Sequence, residues 1–282
     1  MKIAVTGASG FIGSELVKTL SATHQLIALQ RKLNNNNLPN IEERYFDLTD
    51  KTTYNFTDAD ALVHCAFIPF SKQNKNASTQ NIEATLALAQ ICIEKGIHFI
   101  FLSSMSAHAD ALSEYGKHKY SIEKQLNNPA FTIIRPGLVI GNTGGLFNNI
   151  KGIIAKSSVI PLIDGGKQPI QTVLVSELNK AIQHIAEQKI TGIYNIATTQ
   201  VYTLKQLYIA IAAGQKKQVK FIGLPYGFMK FALTIAEGIG LNLPIKTESL
   251  LGLKQLRAFK TKDNLDKLNI KLMSLEEAIK NL

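Results

Sequence analysis

A tyrosine and a lysine stand four residues apart in SEYGKHKYS, residues 113–121. On a helix that spacing puts Tyr115 and Lys119 on one face, where an ammonium can act on a phenol. A free phenol titrates near ~10, too high for a base at neutral pH, and a neighbouring positive charge lowers that value. An exposed helix face that does no chemistry displays the same pair. The rest of the chain has to decide between the two.

The stretch TGASGFIG, residues 6–13, shifts the balance. It follows a short apolar segment, KIAVT, and opens a stretch with helical spacing. Gly7 suits a tight turn, Gly10 leaves room for a pyrophosphate, and Gly13 lets the helix pack closely on the strand. Ser9, Phe11 and Ile12 belong to the same turn and are cofactor candidates with it. At the end of the next strand, LIALQRK carries Gln30 and Arg31 where an NAD site places an acid. No carboxylate is there to grip a ribose hydroxyl, and an arginine can pair with a 2′-phosphate, which favours NADP over NAD. Alternatively, Arg31 and Lys32 are merely exposed after the strand.

The elements that must position these residues alternate along the first 140 positions. KIAVT, QLIAL, IEERYF, ALVHCA, HFIFLSS and FTIIRP read as strands, with helical stretches at 10–22 and 79–96, the second closed by Gly96. This alternation predicts an α/β fold, a doubly wound parallel sheet of Rossmann type. After residue 141 the pattern loosens into glycine-rich loops, one more strand at 192–197, and helices starting at Thr203 and Ser274 with capping boxes. The expected organisation is a dinucleotide-binding domain over 1–140 with about 171–200. A smaller, mostly helical substrate-binding region takes 141–170 and 201–282.

With 282 residues, 45% hydrophobic and 18% charged, the chain reads as an ordinary globular protein. The start, MKIAVTGASG, lacks the apolar core of a secretory signal, and a cytoplasmic location is expected. Cys65 and Cys92 lie in apolar runs without paired spacing, so they read as buried thiols and no metal site is expected. Of the net charge of +10, the last quarter from Lys216 carries +6, from 12 basic and 6 acidic residues. Neither a zinc finger nor a dense basic run accompanies that excess, which disfavours nucleic acid and leaves an anionic small molecule as the expected partner. The apolar stretch 226–245 is too interrupted to span a membrane; it reads as a helix covering the cleft or lying on a membrane surface, and membrane contact is disfavoured.

Taken in order, TGASGFIG, FDLTD, VHCA, NIEAT, FIFLSSMS, YGKHK, IIRPGLVIG and YNIAT resemble the extended short-chain dehydrogenases, in particular the NAD-dependent epimerase/dehydratase family that includes UDP-glucose 4-epimerase. The similarity runs over about residues 2–200. It implies that Ser104, Tyr115 and Lys119 are catalytic and that Tyr115 and Lys119 also touch the cofactor. It further implies that Asp47 and Leu48 hold the adenine, and that Ala66, Asn81 and Pro136 line the cofactor site. Phe67, Ser106, His108 and Asn148 are the substrate candidates, whereas His64 reads as a packing or hydrogen-bonding residue.

Departures from the family pattern bear on the substrate. Ser104 and Tyr115 are only 11 positions apart, Ile140 replaces a tyrosine, and Ile170 and Gln171 occupy positions that are often charged. A nucleoside diphosphate thereby loses an expected arginine. The reading is an NADP-dependent oxidoreductase or epimerase acting on a carbonyl or secondary alcohol, in particular of a sugar nucleotide, with a homodimer as the candidate assembly. The alternative is a non-catalytic NAD(P)-binding module, like the relatives associated with respiratory complex I. A serine and tyrosine kept together favour the enzyme.

Overall fold

The structure is a computed structural model that describes residues 1–33, 38–70, 74–241 and 246–282. The four asparagines at 34–37 and the end of the 226–245 stretch lie outside the described residues.

In chain order come β1 (Lys2–Thr6), α1 (Phe11–Leu20), β2 (Gln25–Gln30), β3 (Ile41–Tyr45), β4 (Ala61–His64) and α2 (Ala77–Lys95). Next are β5 (His98–Leu102), α3 (Glu114–Gln125), β6 (Thr132–Pro136), β7 (Leu138–Ile140), α4 (Gly145–Lys156) and β8 (Val159–Ile163). Then follow β9 (Pro169–Ile170), β10 (Thr172–Leu174), α5 (Val175–Glu187), β11 (Gly192–Ile196), β12 (Tyr202–Thr203) and α6 (Leu204–Gly214). The chain closes with β13 (Lys220–Leu224), α7 (Tyr226–Gly238), α8 (Thr247–Lys254), α9 (Lys262–Lys267) and α10 (Leu275–Lys280).

Seven strands form one parallel sheet in the order β11-β6-β5-β4-β1-β2-β3. Its central strands β4 and β5 are buried at every position, which is why they read as unbroken apolar runs rather than alternating ones. The chain leaves β1 towards β2 and β3, then crosses back to β4. The order therefore reverses between β1 and β4, and the carboxyl ends of these strands frame a crevice. One face of the sheet packs on α1 and α5 through Leu16, Leu20, Leu178 and Ile182, joined by Leu265 and Leu268 of α9. The other face buries Phe56, Leu88, Phe99, Phe101 and Ile122.

A third core, with Phe147, Ile150, Leu207, Tyr208 and Leu250, lies under the C-terminal elements. That region is α/β in detail: β7 pairs with β10, β8 with β13 and β9 with β12. Sequence patterning missed these ribbons because each joins segments far apart in the chain, such as Val159–Ile163 with Lys220–Leu224. The capping boxes at Thr203 with Gln206 and Ser274 with Glu277 form as expected. Gly214 stays inside α6, and Gln215 caps it.

Candidate active site

The glycine turn between β1 and α1 divides into two kinds of glycine. Gly7 has φ +66°, and a Cβ there would come within 2.8 Å of the Ala66 nitrogen; a Cβ on Gly13 would lie 2.2 Å from the Gly7 oxygen. The chain itself demands both. Gly10 is different: its φ is −79°, and a Cβ would meet only the Gly7 oxygen, at 3.2 Å. Its backbone conformation does not call for glycine, and a Cβ would press on the Gly7 oxygen far less than at Gly7 or Gly13, so its smallness also leaves room for what comes to the turn from outside. Helix α1 starts here with no side-chain cap and no acid in its first turn. Its free N–H groups and positive dipole end are therefore open to an anion. Ser9 is exposed beside them, and Phe11 and Ile12 are half-buried. The residues present fit the pyrophosphate of a dinucleotide.

At the far rim of the crevice, Gln30 is buried at the end of β2 and Arg31 is exposed. The Asp47 carboxylate accepts the Thr49 N–H at 2.8 Å and the Thr49 hydroxyl at 2.7 Å. These bonds hold its carboxyl below the usual range, with the nearby Arg31 charge adding to the effect. Leu48 is buried, and its carbonyl accepts the Tyr54 hydroxyl at 2.8 Å.

Between the glycine turn and α2 runs a buried polar relay. Thr6 Oγ1 accepts the N–H groups of Cys65 and Ala66, both at 3.1 Å, so its own proton goes to His64 Nδ1 at 2.7 Å. The imidazole then carries its proton on Nε2 and donates to Thr85 Oγ1 at 3.1 Å, and Thr85 donates to the Asn81 carbonyl at 2.6 Å. Burial, helped by the Lys119 charge, pushes His64 down to about 3, so it stays neutral. The Asn81 amide donates to the Ile68 carbonyl and accepts the Ile68 N–H, both at 2.8 Å. Asn81 thus fixes the course of the chain after Ala66, and His64 is the hydrogen-bonding residue its sequence setting suggested.

The second constellation follows β5. Ser103 bonds Glu123, which also takes Arg135 (Nε at 2.9 and 3.0 Å), and this buried bracket ties β5 to α3 and β6. Ser104 Oγ accepts the Ser106 N–H at 3.1 Å, and the Ser104 hydroxyl stands near enough to the Tyr115 phenol to lower its pKa. A Cβ on Gly116 would stand 2.5 Å from the Ser106 oxygen, so the glycine after Tyr115 is what lets the 104–108 loop lie against α3. One turn along α3, Lys119 is 3% exposed. Its Nζ donates to the Leu102 carbonyl at 2.6 Å and lies 4.7 Å from the Phe67 ring centre, 4.5 Å from that of Phe101 and 6.0 Å from that of Tyr115. Phe67 packs edge-on against Tyr115 at 5.2 Å.

Serine, tyrosine and lysine are thus brought together, but the electrostatics differ from the expectation. Although 40% of Tyr115 faces open space, desolvation of the phenol raises its pKa, and the nearby Ser104 hydroxyl offsets that only in part. Burial also lowers Lys119, to about 8. In the protein by itself burial outweighs any help the ammonium gives the phenol.

Tyr115 opens onto a cavity of about 570 Å³. Ser104, Ser106, His108 and Pro136 line one side, with Phe11 and Ile12 at the glycine-turn end. The opposite wall is Leu146 and Asn149 of α4, Ile170, Gln171, and Glu248, Leu253, Gln255 and Arg257 from α8 and the segment after it. Helix α8, rather than α7, covers the cleft: Glu248 accepts the Tyr115 N–H at 3.2 Å, and Gln255 donates to the Asp110 carbonyl at 2.7 Å. Sequence patterning gave no sign of the Glu248–Arg257 part of this wall, since its residues lie more than 130 positions from Tyr115 with no motif of their own. Asn148 donates to the Gly141 and Gly144 carbonyls, both at 2.9 Å; it braces the loop, and the neighbouring Asn149 lines the cavity instead. Phe67 supports Tyr115 from outside the lining. His108 has a buried Nδ1 without a partner; burial and the Arg257 charge keep its pKa low. Arg257, the cavity's one lysine or arginine among the described residues, is paired with Asp110 at 2.9 Å. Gln171 is engaged with Thr198 and Phe259 main-chain atoms at 2.7–3.1 Å.

Known proteins share this architecture. A human epimerase family protein solved with NADPH superposes with a TM-score of 0.78 at 16% identity, covering 100% of this chain and 98% of that one. UDP-N-acetylglucosamine 4-epimerase from Bacillus cereus gives 0.75 at 18%, covering 100% and 94%. By sequence, the chain is 24% identical over 280 residues to the mitochondrial NADH dehydrogenase [ubiquinone] 1 alpha subcomplex subunit 9 of Arabidopsis thaliana, covering 91% of this chain and 69% of that protein. It is 25% identical to UDP-glucose 4-epimerase of Vibrio cholerae over 56% of this chain and 58% of the epimerase. The sequence profile of the NAD dependent epimerase/dehydratase family matches residues 3–197, which takes in the glycine turn, the His64 relay and the Ser104–Tyr115–Lys119 cluster. The chain belongs to that family, and so to a group of NAD(P)-dependent enzymes.

Proposed function

We propose that this chain is an NADP-dependent oxidoreductase or epimerase acting on a carbonyl or secondary alcohol of a small anionic substrate, with a sugar nucleotide as the leading class. The observation that carries the reading is that Ser104 and Tyr115 line one cavity of about 570 Å³, with the Lys119 ammonium buried behind them. The UDP-sugar epimerases among its structural relatives support the substrate class.

Residues 1–140 with 171–200 would hold the dinucleotide, its pyrophosphate at Gly10 and the start of α1, and its adenosine end near Arg31, Asp47 and Leu48. Residues 141–170 and 201–282 would close over the substrate. The bound nicotinamide would supply or accept a hydride. Ser104 donates a hydrogen bond to the substrate oxygen, and Tyr115 gives or takes the proton on that oxygen. Lys119 supplies the positive charge that favours phenolate, held in place by the Leu102 carbonyl. His108 Nδ1 is an unused polar atom in the substrate wall, and Arg257 is where a negative substrate group would compete with Asp110.

Titration with NADPH and NADH at fixed ionic strength tests the cofactor assignment. NADPH binds more tightly, and Arg31→Ala removes the difference; equal affinities in the wild type would overturn it. Gly10→Val folds but loses both cofactors, because the added carbons point into the phosphate space. The long match to a protein named as an NADH dehydrogenase subunit favours a second reading, a dinucleotide-binding module without turnover. Absence of turnover across a broad panel of carbonyl substrates, with NADPH binding intact, would select it.

A further inference from the structure

Among the described residues, the most exposed large apolar side chains lie on helix α7 and just beyond its end. Six of the 19 large hydrophobic residues that are exposed among the described residues fall between Ile222 and Leu241, including the two most exposed, Phe231 at 65% and Ile239 at 71%. On α7 the residues Phe228, Phe231 and Ile235, continued by Ile239, recur at helical spacing and form one outward stripe. The inward side is also apolar: Tyr226, Met229 and Leu233 pack on the third core. The helix is therefore held on the protein by one face and presents a second, uncharged face to the outside. Lysine borders it. Lys216, Lys220, Lys230 and Lys246 are exposed, before, on and after the helix, and none has an ion pair among the described residues. The one acid between Lys216 and Lys246 is Glu237, whose carboxylate is engaged with the Thr247 N–H at 2.6 Å.

We infer that α7 docks this protein onto an anionic lipid surface, the stripe entering the interface while the lysines meet the headgroups. A second copy of the chain fits the same face less well. A two-fold contact would set the patch against itself, bringing lysines together with no free carboxylate to receive them. An anionic bilayer satisfies both halves of the pattern, apolar insertion and charge attraction. The site described above does not depend on this contact, since α8 rather than α7 lines the cavity.

The test is flotation of the full chain with phosphatidylcholine vesicles and with phosphatidylcholine vesicles containing phosphatidylglycerol. The protein floats with the anionic vesicles, stays behind with the neutral ones, and is released by added salt. The double variant Phe231→Ser, Ile235→Ser stays behind in both cases while its melting temperature is unchanged, as befits exposed side chains. Lys220→Gln, Lys230→Gln and Lys246→Gln each weaken binding to the anionic vesicles about fivefold. Failure of the wild type to float with anionic vesicles, or flotation of the double variant at the wild-type level, would overturn the inference. So would a wild-type dimer in sedimentation equilibrium that becomes monomeric in the double variant, since that assigns the face to a second copy.

Discussion

Two polar networks sit at the carboxyl ends of neighbouring strands, β4 and β5, and they are completed differently. Around His64 both ring nitrogens, both threonine hydroxyls and both ends of the Asn81 amide are engaged with one another or with the backbone. Around Tyr115 the bonds stop short: the serine oxygen takes only the Ser106 N–H, and the lysine gives one of its three protons to the Leu102 carbonyl. Burial pushes both networks towards their neutral forms, with His64 at about 3, Lys119 at about 8 and the phenol above its ordinary value. A closed network fixes a geometry. An open one keeps hydrogen-bonding capacity for a ligand, and a ligand's charge can move its protons.

The largest expected difference between them is in turnover. Tyr115→Phe deletes one hydroxyl and keeps the ring on Phe67, so it lowers kcat by about 10²–10⁴-fold while NADPH affinity stays close to wild type. Steady-state kinetics beside a cofactor titration checks this, and a loss below tenfold would erase the distinction between the networks.

Next in size is a pH effect. Lys119 has a folded-state pKa of about 8 against 10.5 for a free lysine, so the unfolded chain binds the proton more tightly. Below pH 8 the burial penalty is present in full, and it is relieved as pH rises towards 10.5. Urea unfolding of wild type and Lys119→Met should therefore show wild type gaining on the variant across that window, by up to about 3 kcal/mol. Tyr115 runs the other way above pH 10, because its raised pKa means the unfolded chain gives up that proton first. A difference that is flat or falls between pH 8 and 10 would mean that Lys119 is not desolvated.

The smallest effect concerns the closed network. His64→Leu leaves the Thr6 and Thr85 hydroxyls without their partner and should cost about 1–3 kcal/mol of stability. Turnover should fall by less than the ~10²-fold typical of an acid–base group. A loss of activity as large as that of Tyr115→Phe, with stability unchanged, would make His64 a participant rather than a support.

How much of this was legible in the sequence follows from how far apart the cooperating residues lie. The glycine turn and the tyrosine–lysine pair are local patterns, and β1, β2, β4, β5 and β6 show as dense apolar runs because they are buried on both faces, whereas β3, IEERY, has no buried position. Arg31 was legible as a type, but its nearness to Asp47 was not, since they end different strands. The cavity wall from α8 and Arg257 was invisible for the same reason. Asn148 and Asn149 are indistinguishable in sequence; only the rotation of α4 decides which one faces the cavity. That burial raises the Tyr115 phenol in the protein by itself was not legible, because spacing on a helix reports proximity and says nothing of desolvation.

Phe11 deserves a last look as a mechanical part. It is the first residue of α1, and its ring fills the space that side chains at Gly141, Gly144 and Gly145 would otherwise take, with hypothetical Cβ-to-ring distances of 2.7, 3.1 and 3.2 Å. Ring and glycines make a ball and socket between the phosphate turn and the start of α4, two segments that the chain separates by some 130 positions. Close packing transmits displacement, so neither piece can shift without the other. A nudge delivered at the head of the first helix arrives, through a single ring, at the wall that Leu146 and Asn149 present to the cavity.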